Sequence, residues 1–208
     1  MISPQAPVEP ESSDEPVAAV MALLAARSGH FLLESGHHGD LWLELDGLFW
    51  STEAVEPLVA ALAERIRPYE VDVVCGPLVG GALLAQPVAA RLGAGFCYTE
   101  RTATGSGLYA ATYHVPDVLR SRLAGTRVAI VDDVVNAGSA VRATLAAVGA
   151  AGAEVVALGA LLTLGSTPAT VAADAGLPLE ALGTRPTEIW KPGRCPRCAT
   201  GEPLEAPQ

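Results

Sequence analysis

Apolar positions along the chain follow two periods: short β-branched runs alternate with longer Ala- and Leu-rich stretches spaced for one face of a helix. From Asp14, with Pro16 in the first turn, the spacing predicts a helix through Ala26, ended by Gly29. Phe31 to Leu45 reads as two short strands joined by a Gly- and His-rich turn, the second alternating apolar and acidic side chains. A helix over 52–67 follows, then a strand Val71–Cys75, a Gly-rich turn and a helix from about Ala82 to Leu92. Gly95–Arg101 predicts the next strand, with a return strand within Tyr109–Val115. Val128–Val131 predicts a buried strand ending at Asp132 and Asp133, and a helix runs from about Ser139 to Gly149. Ala153–Leu164 is a continuous apolar run suited to a central strand buried on both faces. Gly165-Ser166-Thr167-Pro168 then starts a further helix by cap and N1 chemistry. Strands alternating with helices predict an α/β fold with a mostly parallel central sheet flanked by helices.

Composition narrows the class. A chain of 208 residues, half of them apolar, can bury one sizeable core. The absence of a long uninterrupted apolar run excludes a helical membrane span. A net charge of −10 argues against nucleic acid as a partner. It also means that an anionic substrate must be held by local donors and metal, not by the global field. Residues 1–13, rich in Pro, Glu and Ser, predict a disordered tail. They carry neither a basic n-region nor an apolar h-region, so the expected location is cytoplasmic and the four cysteines read as cytosolic thiols. Cys75 and Cys97, set in apolar segments, read as small core residues.

Chemistry concentrates between Val128 and Thr144. Two carboxylates at the carboxyl end of a strand are followed by Asn136-Ala137-Gly138-Ser139 and a helix N-terminus. The free N–H groups and partial positive charge of a helix start suit a phosphate. The acid pair can accept hydrogen bonds from vicinal hydroxyls or hold hydrated Mg²⁺ through water. An acidic turn that merely caps a helix is the plainer alternative. The acids, the turn and the helix start arriving in that order favour a phosphorylated sugar.

Val-Asp-Asp-Val-Val-Asn-Ala-Gly-Ser-Ala resembles the phosphoribosyl-pyrophosphate (PRPP) signature of type I phosphoribosyltransferases. The resemblance implies that Asp132 and Asp133 contact the ribose hydroxyls. It also implies that Val135, Asn136, Ala137, Gly138, Ser139 and Ala140 cradle the 5′-phosphate. Gly-His-Phe-Leu-Leu-Glu-Ser-Gly-His-His-Gly, from Gly29 to Gly39, is similar to the N-terminal hood of orotate phosphoribosyltransferases, where a helix and a strand pair cover the base. Ser35 and Gly36 would face the base, and Gly39 stands where relatives have Ser. The resemblance implies a type I phosphoribosyltransferase fold with a small N-terminal hood: one domain over 14–204, comprising hood 14–50, core 52–185 and a C-terminal segment 186–204.

The implied activity is Mg²⁺-dependent transfer of phosphoribose from PRPP to a nucleobase, orotate by default, in a homodimer. The alternatives are a purine-type base, or a PRPP- or nucleotide-binding regulator on the same fold without catalysis. By position, Gly76, Pro77, Leu78, Val79, Gly80 and Gly81 correspond to the pyrophosphate loop, although glycine there serves tight packing equally well. Thr102–Gly107 suits a lid or a plain hairpin turn. Of the basic residues that the family places near pyrophosphate only Arg101 matches; His114 falls later and is not assigned that role. The single lysine, Lys191, lies in the tail, and Leu162-Thr163-Leu164-Gly165 stands where orotate-using relatives place an arginine for the substrate carboxylate.

Two further features stay apart in the sequence. His37 and His38, adjacent on a turn, lack a third ligand nearby. Cys195-Pro196-Arg197-Cys198 is half of a zinc site, read as incidental or packing use, although the phrase through Leu204 resembles the C-terminus of a short-form orotate phosphoribosyltransferase branch.

Overall fold

The structure, a computed structural model, describes residues 14–102, 108 and 111–206. The tail expected over 1–13 and most of the lid expected over Thr102–Gly107 lie outside them. Among the described residues nine strands form two sheets. A six-stranded sheet has the order β5-β4-β3-β6-β7-β8, built from β3 (Val73–Pro77), β4 (Gly95–Thr102), β5 (Thr112–His114), β6 (Arg127–Val135), β7 (Glu154–Leu164) and β8 (Leu179–Arg185). All its pairings are parallel except β4 with β5. The chain leaves β3 toward one edge and returns at β6 to build toward the other. The connections therefore part at the carboxyl ends of β3 and β6, where open α/β sheets bind ligands.

Helices α2 (Thr52–Ile66), α3 (Gly80–Leu92), α4 (Asp117–Leu123), α5 (Ser139–Ala150) and α6 (Thr167–Ala175) connect these strands. Ser51 caps α2 by accepting from Ala54 N at 3.2 Å, and the buried Val55, Leu58, Val59, Leu62 and Ile66 form one helical face. That face packs with Val74, Leu84, Val131 and Leu161 in one core cluster, while Ile130, Val141, Val148 and Leu158 belong to a second. In β7, the run Ala157–Leu164 is buried throughout, as its apolar sequence predicts.

The N-terminal helix is shorter than its composition suggests. α1 spans Asp14–Ala22, and β1 (Ala25–Leu32) already begins within the predicted helix. Ala25 to Ser28 pair antiparallel with Glu44 to Leu41 of β2 (His38–Glu44), so tertiary pairing overrides the helix propensity of two alanines. α1 packs against β8, where Val17 lies so close to Gly183 that a Cβ there would meet it at 2.3 Å. The hood sheet has the order β1-β2-β9, with β9 (Ile189–Trp190) supplied by the C-terminal segment, which also carries the four-residue helix α7 (Pro196–Ala199).

Candidate active site

A cavity of about 550 Å³ opens above the carboxyl ends of β3 and β6. Asp132 and Asp133 form its floor. β6 does not stop before them: Asp132 pairs with Ala160, and the ladder continues to Val135 opposite Thr163. The acids are thus the last part of the strand and inherit its rigidity. Their exposures are only 8% and 4%, yet both line the cavity. Burial, and then the like charge of Asp133, push the Asp132 carboxyl well above the usual range. Burial also raises Asp133, offset by the Val134 N–H, which donates to Asp133 Oδ1 at 2.8 Å. Neither carboxylate has an ion pair with a cationic side chain among the described residues.

The glycines before α3 explain how the acids fit. A Cβ at Gly80 would stand 2.0 Å from Asp133 Oδ2, and one at Gly81 would stand 2.7 Å from Asp132 Oδ1. At Gly76 it would meet the Gly81 carbonyl oxygen at 2.0 Å. The structure therefore assigns Gly76 to tight backbone packing, while Gly80 and Gly81 make room for the acid pair. Pro77, Leu78, Val79, Gly80 and Gly81 line the cavity beside them, with the Leu78–Val79 peptide cis; Gly76 lies behind, in β3.

On the opposite side Val135, Asn136, Ala137, Gly138, Ser139 and Ala140 also line the cavity and deliver the N-terminus of α5 to it. Gly138 turns the chain at φ +72°, and a Cβ there would lie 2.7 Å from Val171. The Asn136 side-chain oxygen is buried, with no hydrogen-bond partner among the described residues. A ligand donor reaching this loop would supply one.

The hood closes the cavity. Ser35 lines it, whereas Gly36 does not and instead turns the chain at φ +79°. Ser35 Oγ accepts from His37 N at 3.4 Å and lies 3.1 Å from His37 Nδ1. Burial, then the Lys191 charge, hold His37 below the usual histidine range. Arg101 is not in the wall. It sits at the rim, with Nη1 3.5 Å from Glu34 Oε1, and Glu34 itself lines the cavity. Tyr113 donates to the same Glu34 oxygen at 3.2 Å; burial, then Glu34, raise its pKa. Glu34 thereby ties the hood to β4 and β5, a role without a sequence signal because the three residues lie far apart in the chain. His114 faces Glu100 at 3.2 Å and is not among the residues lining the cavity.

The charge of the lining is one-sided. Glu34, Glu44, Asp46, Asp132 and Asp133 are acidic, and no Lys, Arg or His is among the described lining residues. Leu164 occupies the wall near the end of β7, so the stretch Leu162–Gly165 brings no cation to the cavity.

The chain matches the phosphoribosyl transferase domain family over residues 51–176. It is 31% identical over 184 residues to the orotate phosphoribosyltransferase of Caldanaerobacter subterraneus subsp. tengcongensis, covering 86% of this chain and 88% of that one. The chain belongs to the orotate phosphoribosyltransferase family. The fold is that of the type I phosphoribosyltransferases. The orotate phosphoribosyltransferase of Aeropyrum pernix superposes with TM-score 0.62 at 21% identity, over 83% of this chain and 92% of its own. The adenine phosphoribosyltransferase of Thermoanaerobacter pseudethanolicus superposes with TM-score 0.64 at 21% identity, over 81% and 99%. Because enzymes named for two different bases share this fold, the architecture of this family member does not choose the base.

One grouping departs from the sequence expectation. His37 and His38 do not act as a pair: His37 turns to Ser35, whereas His38 meets His30, Cys195 and Cys198. The cysteine pair is therefore not an isolated half-site. β1, β2 and the C-terminal segment bring its partners from more than 150 positions away in the chain.

Proposed function

We propose that this protein transfers the 5-phosphoribosyl group of PRPP to orotate, forming orotidine 5′-phosphate and pyrophosphate. The C1–O bond to pyrophosphate breaks ahead of C1–N bond formation, so positive charge develops on the ribose in the transition state, and the proton lost from the base nitrogen passes to the released pyrophosphate or to solvent. The observation that carries this reading is the buried acid pair, without a cationic partner, facing the start of α5 across one cavity. Asp132 and Asp133 accept from the ribose hydroxyls. The amides of Val135 to Ala140 hold the 5′-phosphate, as the start of a helix does. Gly76 to Gly81 form the pyrophosphate loop, and Arg101 turns from Glu34 to the departing pyrophosphate. Ser35 and Gly36 position the hood over the base. Fixing both reactants in one geometry lowers the barrier, and neutralising the departing pyrophosphate lowers it further.

Mg²⁺ fits this donor set, which offers only oxygens and an uncompensated negative charge. Asp132 and Asp133 would hold it through water, and when bound it neutralises charge on pyrophosphate. An acidic cavity receiving an anionic sugar also calls for cations from elsewhere, which supports a homodimer in which a partner's lid completes the site. Trp50, 92% exposed, is apolar surface available to such an interface. A cytoplasmic location, with neither nucleic acid nor membrane as partner, accords with this reading. No helix among the described residues is long and apolar enough to cross a membrane.

A second reading concerns the base. Without a cation in the wall for the orotate carboxylate, a purine-type base is the competing substrate. Pyrophosphate release from PRPP, with and without Mg²⁺, measured against orotate and a panel of bases, tests both. Release with orotate is the expected result, and release only with another base moves the substrate. Tight PRPP binding with no release under any base would replace the enzyme with a regulator.

A further inference from the structure

We propose that His30, His38, Cys195 and Cys198 bind one Zn²⁺ that fastens the C-terminal segment to the hood. Their ligand atoms all lie within 4.8 Å of one another. His30 Nε2 is 3.0 Å from His38 Nδ1, 3.3 Å from Cys195 Sγ and 3.7 Å from Cys198 Sγ, and Cys198 Sγ is 3.3 Å from His38 Nδ1. A tetrahedral zinc with bonds of about 2.0–2.1 Å to nitrogen and about 2.3 Å to sulfur has ligand–ligand edges of roughly 3.3–3.8 Å. The four measured separations fall close to those edges.

Hydrogen bonding alone does not account for the cluster. His30 Nδ1 lies 2.9 Å from the Glu202 carbonyl oxygen, which can only accept, so Nδ1 carries the ring proton and Nε2 presents a lone pair. Three atoms, His38 Nδ1 and both sulfurs, crowd that one lone pair. Cys198 can donate to His38 Nδ1 instead, but the two ring lone pairs then face each other at 3.0 Å, a repulsion that a cation at the centre removes. The carbonyl on the far side of the His30 ring is also what a metal-bound histidine uses to fix its tautomer. Glu202 is held in turn, its carboxylate accepting from Arg197 Nη1 at 2.6 and 2.9 Å.

The surroundings explain why a metal is needed there. The C-terminal segment contributes a two-residue strand, a three-residue 3₁₀ turn and the four-residue α7. So little regular structure cannot bury a core of its own, and such units are held by cross-links. Backbone bonds Leu32 N to Glu205 O at 2.7 Å and Glu205 N to His30 O at 2.8 Å align the segment with β1 without closing it. The donor set of two imidazoles and two thiolates selects Zn²⁺ among common divalent ions. Binding releases the two thiol protons to solvent and leaves a neutral centre. Because His30 and His38 bracket the turn that carries Glu34 and Ser35, the metal also fixes the hood over the cavity.

The test needs neither PRPP nor a base, so it is decided independently of the proposed reaction. Full-length protein purified without chelator is expected to contain about one zinc per chain by elemental analysis. The double variant Cys195→Ser, Cys198→Ser should lose it, and Cys97→Ala should keep it. After zinc is replaced by Co²⁺, the wild-type chain should show the intense visible bands of tetrahedral cobalt with thiolate charge transfer, a readout that stands even if the double variant fails to fold. A chain that retains no zinc after incubation with Zn²⁺ alone and dialysis would overturn the site. So would the weak spectrum of octahedral cobalt, or a Cys195–Cys198 disulfide in the unreduced protein.

Discussion

Gly80→Ala separates catalysis from folding. Gly80 is the first residue of α3, where alanine is at least as good a helix former as glycine. The new Cβ would stand 2.0 Å from Asp133 Oδ2 and 2.6 Å from its Cγ. Carbon–oxygen contacts shorter than about 3 Å are not tolerated, so the carboxylate must retreat by about 1 Å. Displacing a positioning group by that much costs on the order of 10²-fold in rate, or about 2.7 kcal/mol of transition-state stabilisation. Stability should change little, since alanine suits the helix start. At this chain length a net 1 kcal/mol moves Tm by about 2–4 °C. The assay is steady-state pyrophosphate release with the melting temperature of the same sample, and Gly149→Ala is the control. Gly149 lies exposed in α5 with nothing within 4 Å of its Cβ position, so alanine there should stabilise by about 0.4–1 kcal/mol and leave kcat/KM unchanged. A Gly80→Ala protein with kcat/KM within about twofold of wild type would refute the argument that Asp133 must occupy that space.

The raised acid pair gives a signed pH dependence. A carboxyl whose folded pKa lies above its unfolded value contributes stability below about pH 3.9, and that contribution is lost as pH rises through the folded pKa. Ligand-free Asp132→Asn should therefore lose less stability than wild type between mildly acidic and mildly alkaline pH in urea titrations, while its PRPP affinity falls sharply. An unchanged pH dependence would remove the buried-charge account. Arg101 and Glu34 are both about half exposed, so their ion pair should contribute no more than about 1 kcal/mol. Arg101→Ala should accordingly leave Tm nearly unchanged and lower kcat by about 10²–10³ if Arg101 reaches pyrophosphate, as single-turnover kinetics would show. Gly76→Ala should fail differently, as loss of soluble folded protein, because its Cβ meets the Gly81 carbonyl at 2.0 Å and backbone cannot step aside. Normal expression with a wild-type melting curve would contradict that.

What the sequence determined by itself is local. The apolar run Ala153–Leu164 suits a buried strand, and the order Asp132-Asp133, Asn136 to Ser139, helix could be read as a sugar-phosphate motif because all its parts lie within one strand–turn–helix unit. The tertiary structure decided whatever depends on distant partners. It turned Ala25 to Ser28 into strand, because β2 offers pairing that local propensity cannot foresee. It showed that Gly80 and Gly81 also give clearance to carboxylates that arrive from β6. It set Arg101 against Glu34 at the rim, and it gathered two histidines and two cysteines, half-signals apart in the chain, into one cluster. Periodicity and motif spacing report on neighbours along the backbone, whereas charge pairing, close packing and metal coordination are settled only when the fold brings remote residues within a few ångströms of each other.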